Sequence, residues 1–372
     1  MVSEIEQKYQ VNNKDEIPEW IVNEAELINQ ALDRKLVTAK QATEGLTSEE
    51  EIAETMKSLL KKMVEITYFV EYPPENVDPK NRGGELKKLF SQPMLDDDGS
   101  NTTLADYLSS KHASVSLAMS TLDQNTADAI RILNEKKVPV IAWVVVEDIE
   151  GYWSNPGSLT QTAVKTQEII NWAAENNLDI TTLGFDMEKP LPLMKAVTQG
   201  HIVEMAKELF RYKQRAKKEK QQFGDPKKRM QGLVESLKEK GFGVEEYMMP
   251  YAAIFGTMQV PSADRRAVMA YTSMFPSFLR KIGVRLLKGT KERAALGIVS
   301  GKDNETPGRD LTGGKLPHHL THEELKRNLE TALNQSIDIG NRQIRFKELY
   351  LFALNDARVA LMMESALEKS FT

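Results

Sequence analysis

Eight short runs rich in β-branched and aromatic residues recur along this chain, separated by amphipathic stretches with helical spacing. The runs fall at 66–72, 114–120, 139–146, 181–187, 245–251, 266–274, 294–300 and 349–354. Helical segments are predicted between them at 126–135, 159–175, 202–220, 227–240, 277–287 and 322–333. Strands that alternate with helices form a parallel sheet, because each helix carries the chain back to the start of the next strand. Eight such repeats in about three hundred residues suit a closed barrel. An open doubly wound sheet would instead place a glycine-rich phosphate turn after an early strand. Gly83-Gly84 does not follow that pattern, and Gly313-Gly314 lies in a predicted loop. The expected fold is therefore α/β, a (β/α)8 TIM barrel over residues 63–372. Residues 1–62 are expected to form an N-terminal helical extension, with Ile21, Ala25, Ile28 and Leu32 at helical spacing and a helix-start signal at Thr47-Ser48-Glu49-Glu50-Glu51.

Composition narrows the possible partners. A net charge of −5 gives no global basic field, so duplex nucleic acid is not an expected partner and a small-molecule or polymer substrate fits better. The basic stretch from Arg211 to Lys220 includes Glu219 and lacks interleaved aromatics, so it reads as a solvated helix face. No run approaches the ~20 apolar residues of a membrane span, and the first residues lack a signal-peptide pattern. A soluble chain is expected, with its localisation open. With no cysteine, thiolate chemistry is excluded. His318, His319 and His322 precede a helix start and read as helix-start residues rather than zinc ligands; no metal and no cofactor is expected.

Barrel enzymes place their chemistry at the C-terminal ends of strands. The fourth run ends Gly184-Phe185-Asp186-Met187-Glu188-Lys189-Pro190, with two carboxylates at alternating positions. Alternation points both to the same side of the strand. Two close carboxylates repel, which leaves one of them protonated near neutral pH and able to act as a general acid. A solvent-facing strand end, or pairing with Lys189, is the alternative.

The ends of four runs together, Asp186 with Glu188, Met269-Ala270-Tyr271, Leu296-Gly297 and Phe352-Ala353-Leu354, resemble glycoside hydrolase family 18, the chitinase and endo-N-acetylglucosaminidase family. The resemblance spans about residues 63–355. It implies that Glu188 protonates the leaving glycosidic oxygen and that Asp186 orients the substrate's 2-acetamido group. The carbonyl oxygen of that group then attacks the anomeric carbon. Tyr271 would hold the acetamido oxygen, and Phe352 would stand at the floor of the sugar subsite. Several positions depart from the family pattern. Thr181 and Gly184 stand at its first two aspartates, Thr272 follows the tyrosine in place of aspartate, Val299 replaces proline and Phe352 replaces tryptophan.

Aromatic faces suit the C–H faces of a sugar. Tyr152 and Trp153, in a turn-rich and expectedly exposed segment, are candidate platforms, and Trp143 is either ligand contact or barrel core. Tyr251, Met269 and Asn355 complete the expected substrate-binding set. Asp303 and Glu305, after the seventh run, offer a rival scheme with an enzyme nucleophile. Glu147, Asp148 and Glu150 read as a solvated loop. Two other functions stay open: a carbohydrate-binding or scaffold protein on a degenerate glycosidase barrel, and a Schiff-base enzyme using Lys189.

Overall fold

The computed structural model describes residues 65–71, 81–95, 101–147, 150–190, 192–193, 202–248, 258–269, 294–299, 323, 326, 348–352, 354 and 356–370. Eight parallel strands close into a barrel: β1 (Glu65–Val70), β4 (Ser114–Ala118), β5 (Val140–Val144), β6 (Thr182–Asp186), β7 (Gly243–Met248), β8 (Arg265–Val268), β9 (Ala294–Val299) and β10 (Glu348–Phe352). Each expected strand is present. The closing seam pairs β1 with both β10 and β4, for example Phe69 with Phe352 and with Ser116.

Strands covered on both faces should be continuously apolar, and β5 (Val-Ile-Ala-Trp-Val) is buried at all five positions. Alternation sorts the buried side chains into two cores. Leu183, Phe185 and Met187 of β6 and the residue after it face outward, into the large cluster shared with the helices. A smaller interior cluster holds Phe69, Trp143, Tyr247, Ala267 and Tyr350.

The helices are α1 (Arg82–Phe90), α2 (Leu104–Ser110), α3 (Gln124–Glu135), α4 (Leu159–Glu175), α5 (Ile202–Phe223), α6 (Pro226–Glu239) and α7 (Ala357–Ser370). Their starts follow capping chemistry. Asp123 accepts from the Thr126 amide at 2.7 Å, and Asp225 caps α6 ahead of Pro226, at the first helical position. On α6, Met230, Val234 and Leu237 form the buried stripe.

Four elements in one stretch were not expected. Between β1 and β4 the chain adds α1, α2 and an antiparallel pair, β2 (Pro93–Leu95) with β3 (Asn101–Thr103). Three-residue strands and a seven-residue helix are too short to carry a readable period. Gly83 belongs to α1, where a Cβ would lie 2.3 Å from Asp123 Oδ1, so this glycine permits close approach to the cap of α3. The expected helices at 1–62 and 277–287 lie outside the described residues, as does most of 322–333. Among the described residues no helix is long and apolar enough to cross a membrane.

Candidate active site

The fourth barrel strand, β6, sets the geometry. Its register pairs Trp143 with Gly184 on one side and Asp186 with Tyr247 on the other. With Leu183, Phe185 and Met187 directed to the helices, Asp186 and Glu188 take the interior face at the C-terminal end of the barrel. Both are almost fully buried, at 2% and 4% exposure.

A strap from Gly151 to Ser158 clamps this strand end. Ser154 bridges Met187 in parallel fashion, and its carbonyl accepts from the Glu188 amide at 3.1 Å. Asn155 holds the strap's turn, donating to the Trp153 carbonyl and accepting from the Gly157 amide, both at 2.9 Å. Gly151 sits at φ 113°, with Pro190 packed where a side chain would stand.

The strap corrects one expectation. Tyr152 and Trp153 are buried, at 3% and 5% exposure, rather than displayed on an open loop. The clamps to β6 turn the two rings into the barrel's interior cluster, edge to face at 5.8 Å. The Tyr152 phenol donates to Glu71 Oε1 at 2.5 Å. Glu71 follows β1 and is itself buried. The site therefore contains a third carboxylate that the D-x-E motif does not reveal. Its only sequence signal is an acidic residue ending an apolar strand, at Val70-Glu71.

Beneath Asp186 lies a polar layer built on Tyr247, which the sequence offers only as a candidate aromatic platform for a sugar. The Tyr247 phenol shares a 2.7 Å hydrogen bond with Ser116 Oγ and donates to Glu245 at 3.3 Å. Glu245 also accepts from the Tyr350 phenol at 2.6 Å and from Arg265 at 2.9 Å. Gly184, where the resemblance lacks an aspartate, lies under the Tyr247 ring.

Of the other expected residues, Trp143 and Met269 are buried in the interior cluster and Phe352 is half-buried against it, 6.3 Å from the Phe69 ring. Tyr271, Tyr251 and Asn355 lie outside the described residues, together with Asp303, Glu305, His318, His319 and His322. Lys189 places its ammonium over the Tyr212 ring of α5, 5.3 Å from the centroid. The basic stretch is a largely exposed helix face, with Tyr212 and Ala216 half-buried and Glu219 buried against Arg229. Among the described residues no group of three or more histidines, aspartates or glutamates is arranged to hold a metal ion.

Electrostatics follow from burial. Burial first, then the charge of Glu188 and a hydrogen bond with it, push Asp186 well above the usual carboxylate range; Glu71 and Glu246 add to this. Burial likewise pushes Glu188 up to about 8; the hydrogen bond with Asp186 opposes the shift and the Glu71 charge reinforces it. Burial also raises Glu245, opposed by Arg265 and the two phenols. The Asp186–Glu188 pair thus keeps a proton at neutral pH, which is what a general acid requires. Two buried polar atoms at this site, Asp186 Oδ1 and Trp143 Nε1, have no hydrogen-bond partner among the described residues. Leaving such an atom unpaired costs about 1–3 kcal/mol, a cost that a ligand offering the complementary group removes.

No protein-family model matches this chain, and no curated protein matches it. Solved structures similar to it include a GH18 chitinase from Pseudoalteromonas aurantia, at 10% identity over 82% of this chain and 99% of that one, with a TM-score of 0.43. The PgaB (BpsB) glycoside hydrolase domain from Bordetella bronchiseptica is 16% identical over 83% of this chain and 99% of its own, with a TM-score of 0.41. A GH5-4 broad-specificity endoglucanase from an uncultured bacterium is 10% identical over 84% and 95%, also at 0.41.

Proposed function

We propose that this barrel is a glycoside hydrolase acting on an N-acetylated carbohydrate, with Glu188 as the general acid. The carrying observation is the buried Asp186–Glu188 pair at the C-terminal end of β6, with Glu188 protonated at neutral pH and Asp186 Oδ1 unpaired. Glu188 gives its proton to the glycosidic oxygen as the bond from that oxygen to the anomeric carbon breaks. The substrate's acetamido oxygen closes on the same carbon, so no enzyme nucleophile is needed. Water then opens the cyclic intermediate and returns a proton to Glu188.

An amide presents one donor and one acceptor. The acetamido N–H is the partner Asp186 Oδ1 lacks, and Tyr271 completes the pattern from the resemblance. The interior rings, Trp143 and half-buried Phe352 among them, supply apolar surface for the sugar.

A second reading is a carbohydrate-binding or scaffold protein on a barrel that has lost catalysis. It is favoured by Gly184, which carries no carboxyl where the resemblance has an aspartate and whose side-chain space is taken by the Tyr247 ring.

Hydrolysis of N-acetylglucosamine oligomers by wild type and Glu188→Gln separates the two. Turnover in wild type that falls by about 10²–10⁴ in the variant supports the acid. Equal turnover in both removes Glu188 from the role, and oligomer binding by both without turnover leaves the binding reading.

A further inference from the structure

Arg82 opens α1 with a buried cation that no described residue answers. It is 6% exposed, and its Nε and Nη2 atoms have no hydrogen-bond partner among the described residues. No described carboxylate forms an ion pair with it. A guanidinium stays charged in a protein. Burying a cation is costly unless an anion accompanies it.

The fold directs this charge. The helix α1 follows β1, so it begins at the C-terminal end of the barrel, the end that carries Asp186 and Glu188. Arg82 stands one and two turns before Leu86 and Leu89, on the buried stripe of α1 that packs against the outer core. Helical side chains lean toward the helix N-terminus, so from the first position the guanidinium is carried past the helix end on its barrel side.

The backbone there is open as well. Asn81, ahead of α1, makes no side-chain cap, and a Cβ on Gly84 would meet nothing within 4 Å. Uncapped first-turn amides are donors at the positive end of the helix dipole. A second orphan group lies nearby. Asp123 Oδ1 comes within 2.3 Å of a Cβ placed on Gly83, and it accepts the Thr126 amide at 2.7 Å. The Thr126 hydroxyl is 1% exposed and has no partner among the described residues.

We propose that Arg82 and the uncapped first turn of α1 form a binding site for an oxyanion: a phosphate, sulfate or carboxylate, either free or carried as an acidic substituent on a larger ligand at the barrel mouth. The guanidinium fork matches two oxygens of such a group, and the helix end adds amide donors. The Thr126 hydroxyl offers a further donor on the α3 side. This site needs neither Asp186 nor Glu188, so it stands apart from the hydrolytic reading.

The test is 15N NMR of the full chain labelled at arginine, with the Arg82 Nε–H signal assigned by Arg82→Lys. Inorganic phosphate is titrated against chloride of equal ionic strength. A saturable shift of that signal is expected, together with a phosphate-dependent rise in the urea midpoint of wild type that Arg82→Met lacks. Phosphate affinity should fall about tenfold or more in Arg82→Met. Without phosphate that variant is expected to be at least as stable as wild type, because methionine fills the space without a buried charge. Should it not fold, the wild-type titration decides alone. Repeating the titration with N-acetylglucosamine oligomers, neutral or alternating with glucuronic acid, separates the sources. A shift with the acidic oligomer but not with phosphate places the anion on the ligand; a shift with phosphate alone assigns a free ion. A signal unmoved by phosphate, sulfate and the acidic oligomer overturns the inference. Equal phosphate effects in wild type and Arg82→Met, or equal shifts with the neutral and acidic oligomers and none with phosphate, overturn it as well.

Discussion

A Cβ on Gly184 would lie 2.3 Å from the Tyr247 phenol oxygen and 2.6 Å from its ring carbons. The two residues divide one volume inside the barrel, so neither can grow while the other stays. Gly184→Ala is expected to destabilise by about 1–3 kcal/mol through overpacking. In a Tyr247→Ala background the same change should cost less, because the occupant is gone. Urea unfolding of the four proteins measures this; additive effects would show that the tyrosine relaxes freely.

Burial of the acid pair sets a pH dependence of stability. Glu188 titrates near 8 in the folded chain and near 4.5 unfolded, and Asp186 is raised in the same sense. Below about pH 4.5 both states carry the proton and the contribution is intact. As pH rises, the unfolded state loses its proton first, so stability falls between about 4.5 and 8. The urea midpoint should be higher at pH 5 than at pH 8, a loss on the order of a few kcal/mol. Glu188→Gln should flatten the curve, and an equally steep curve in that variant would assign the dependence elsewhere.

The same proton predicts the activity profile. If Glu188 is the acid, kcat/KM for N-acetylglucosamine oligomers falls above about pH 8, where Glu188 ionises. A profile that stays flat to pH 10 would exclude it.

On the outer face of β7, Glu246 is fully buried and paired with Arg266 at 2.6 Å, while it also accepts the Val260 amide at 2.7 Å. Arg266→Met removes the partner and leaves a buried carboxylate without its counter-charge. A loss of about 3–5 kcal/mol is expected. Exchange protection at the Val260 amide should fall at the same time. A variant as stable as wild type at pH 8 would show that Glu246 accepts a proton there at little cost.

The barrel was legible in the sequence because a strand covered on both faces must be apolar throughout, and each helix must return an amphipathic face to it. Val140–Val144 and Leu159–Glu175 show both patterns over enough residues to be read. Period 2 likewise put Asp186 and Glu188 on one side of β6. The β2–β3 pair and the short α2 were not legible, since three to seven residues hold no period.

What the sequence by itself determined is therefore the eight barrel strands, their order and the side of β6 that carries its carboxylates, all of which follow from local patterns of apolar and polar residues. Only the tertiary structure decided that Glu71 joins them, that Tyr247 occupies the space above Gly184, and that Tyr152 and Trp153 turn inward. Gly184 and Tyr247 are 63 positions apart and Glu71 and Tyr152 are 81 apart, brought together by barrel closure and by the strap's hydrogen bonds. A local period carries no information about which distant side chain fills a shared volume, because that is settled by packing around the closed ring.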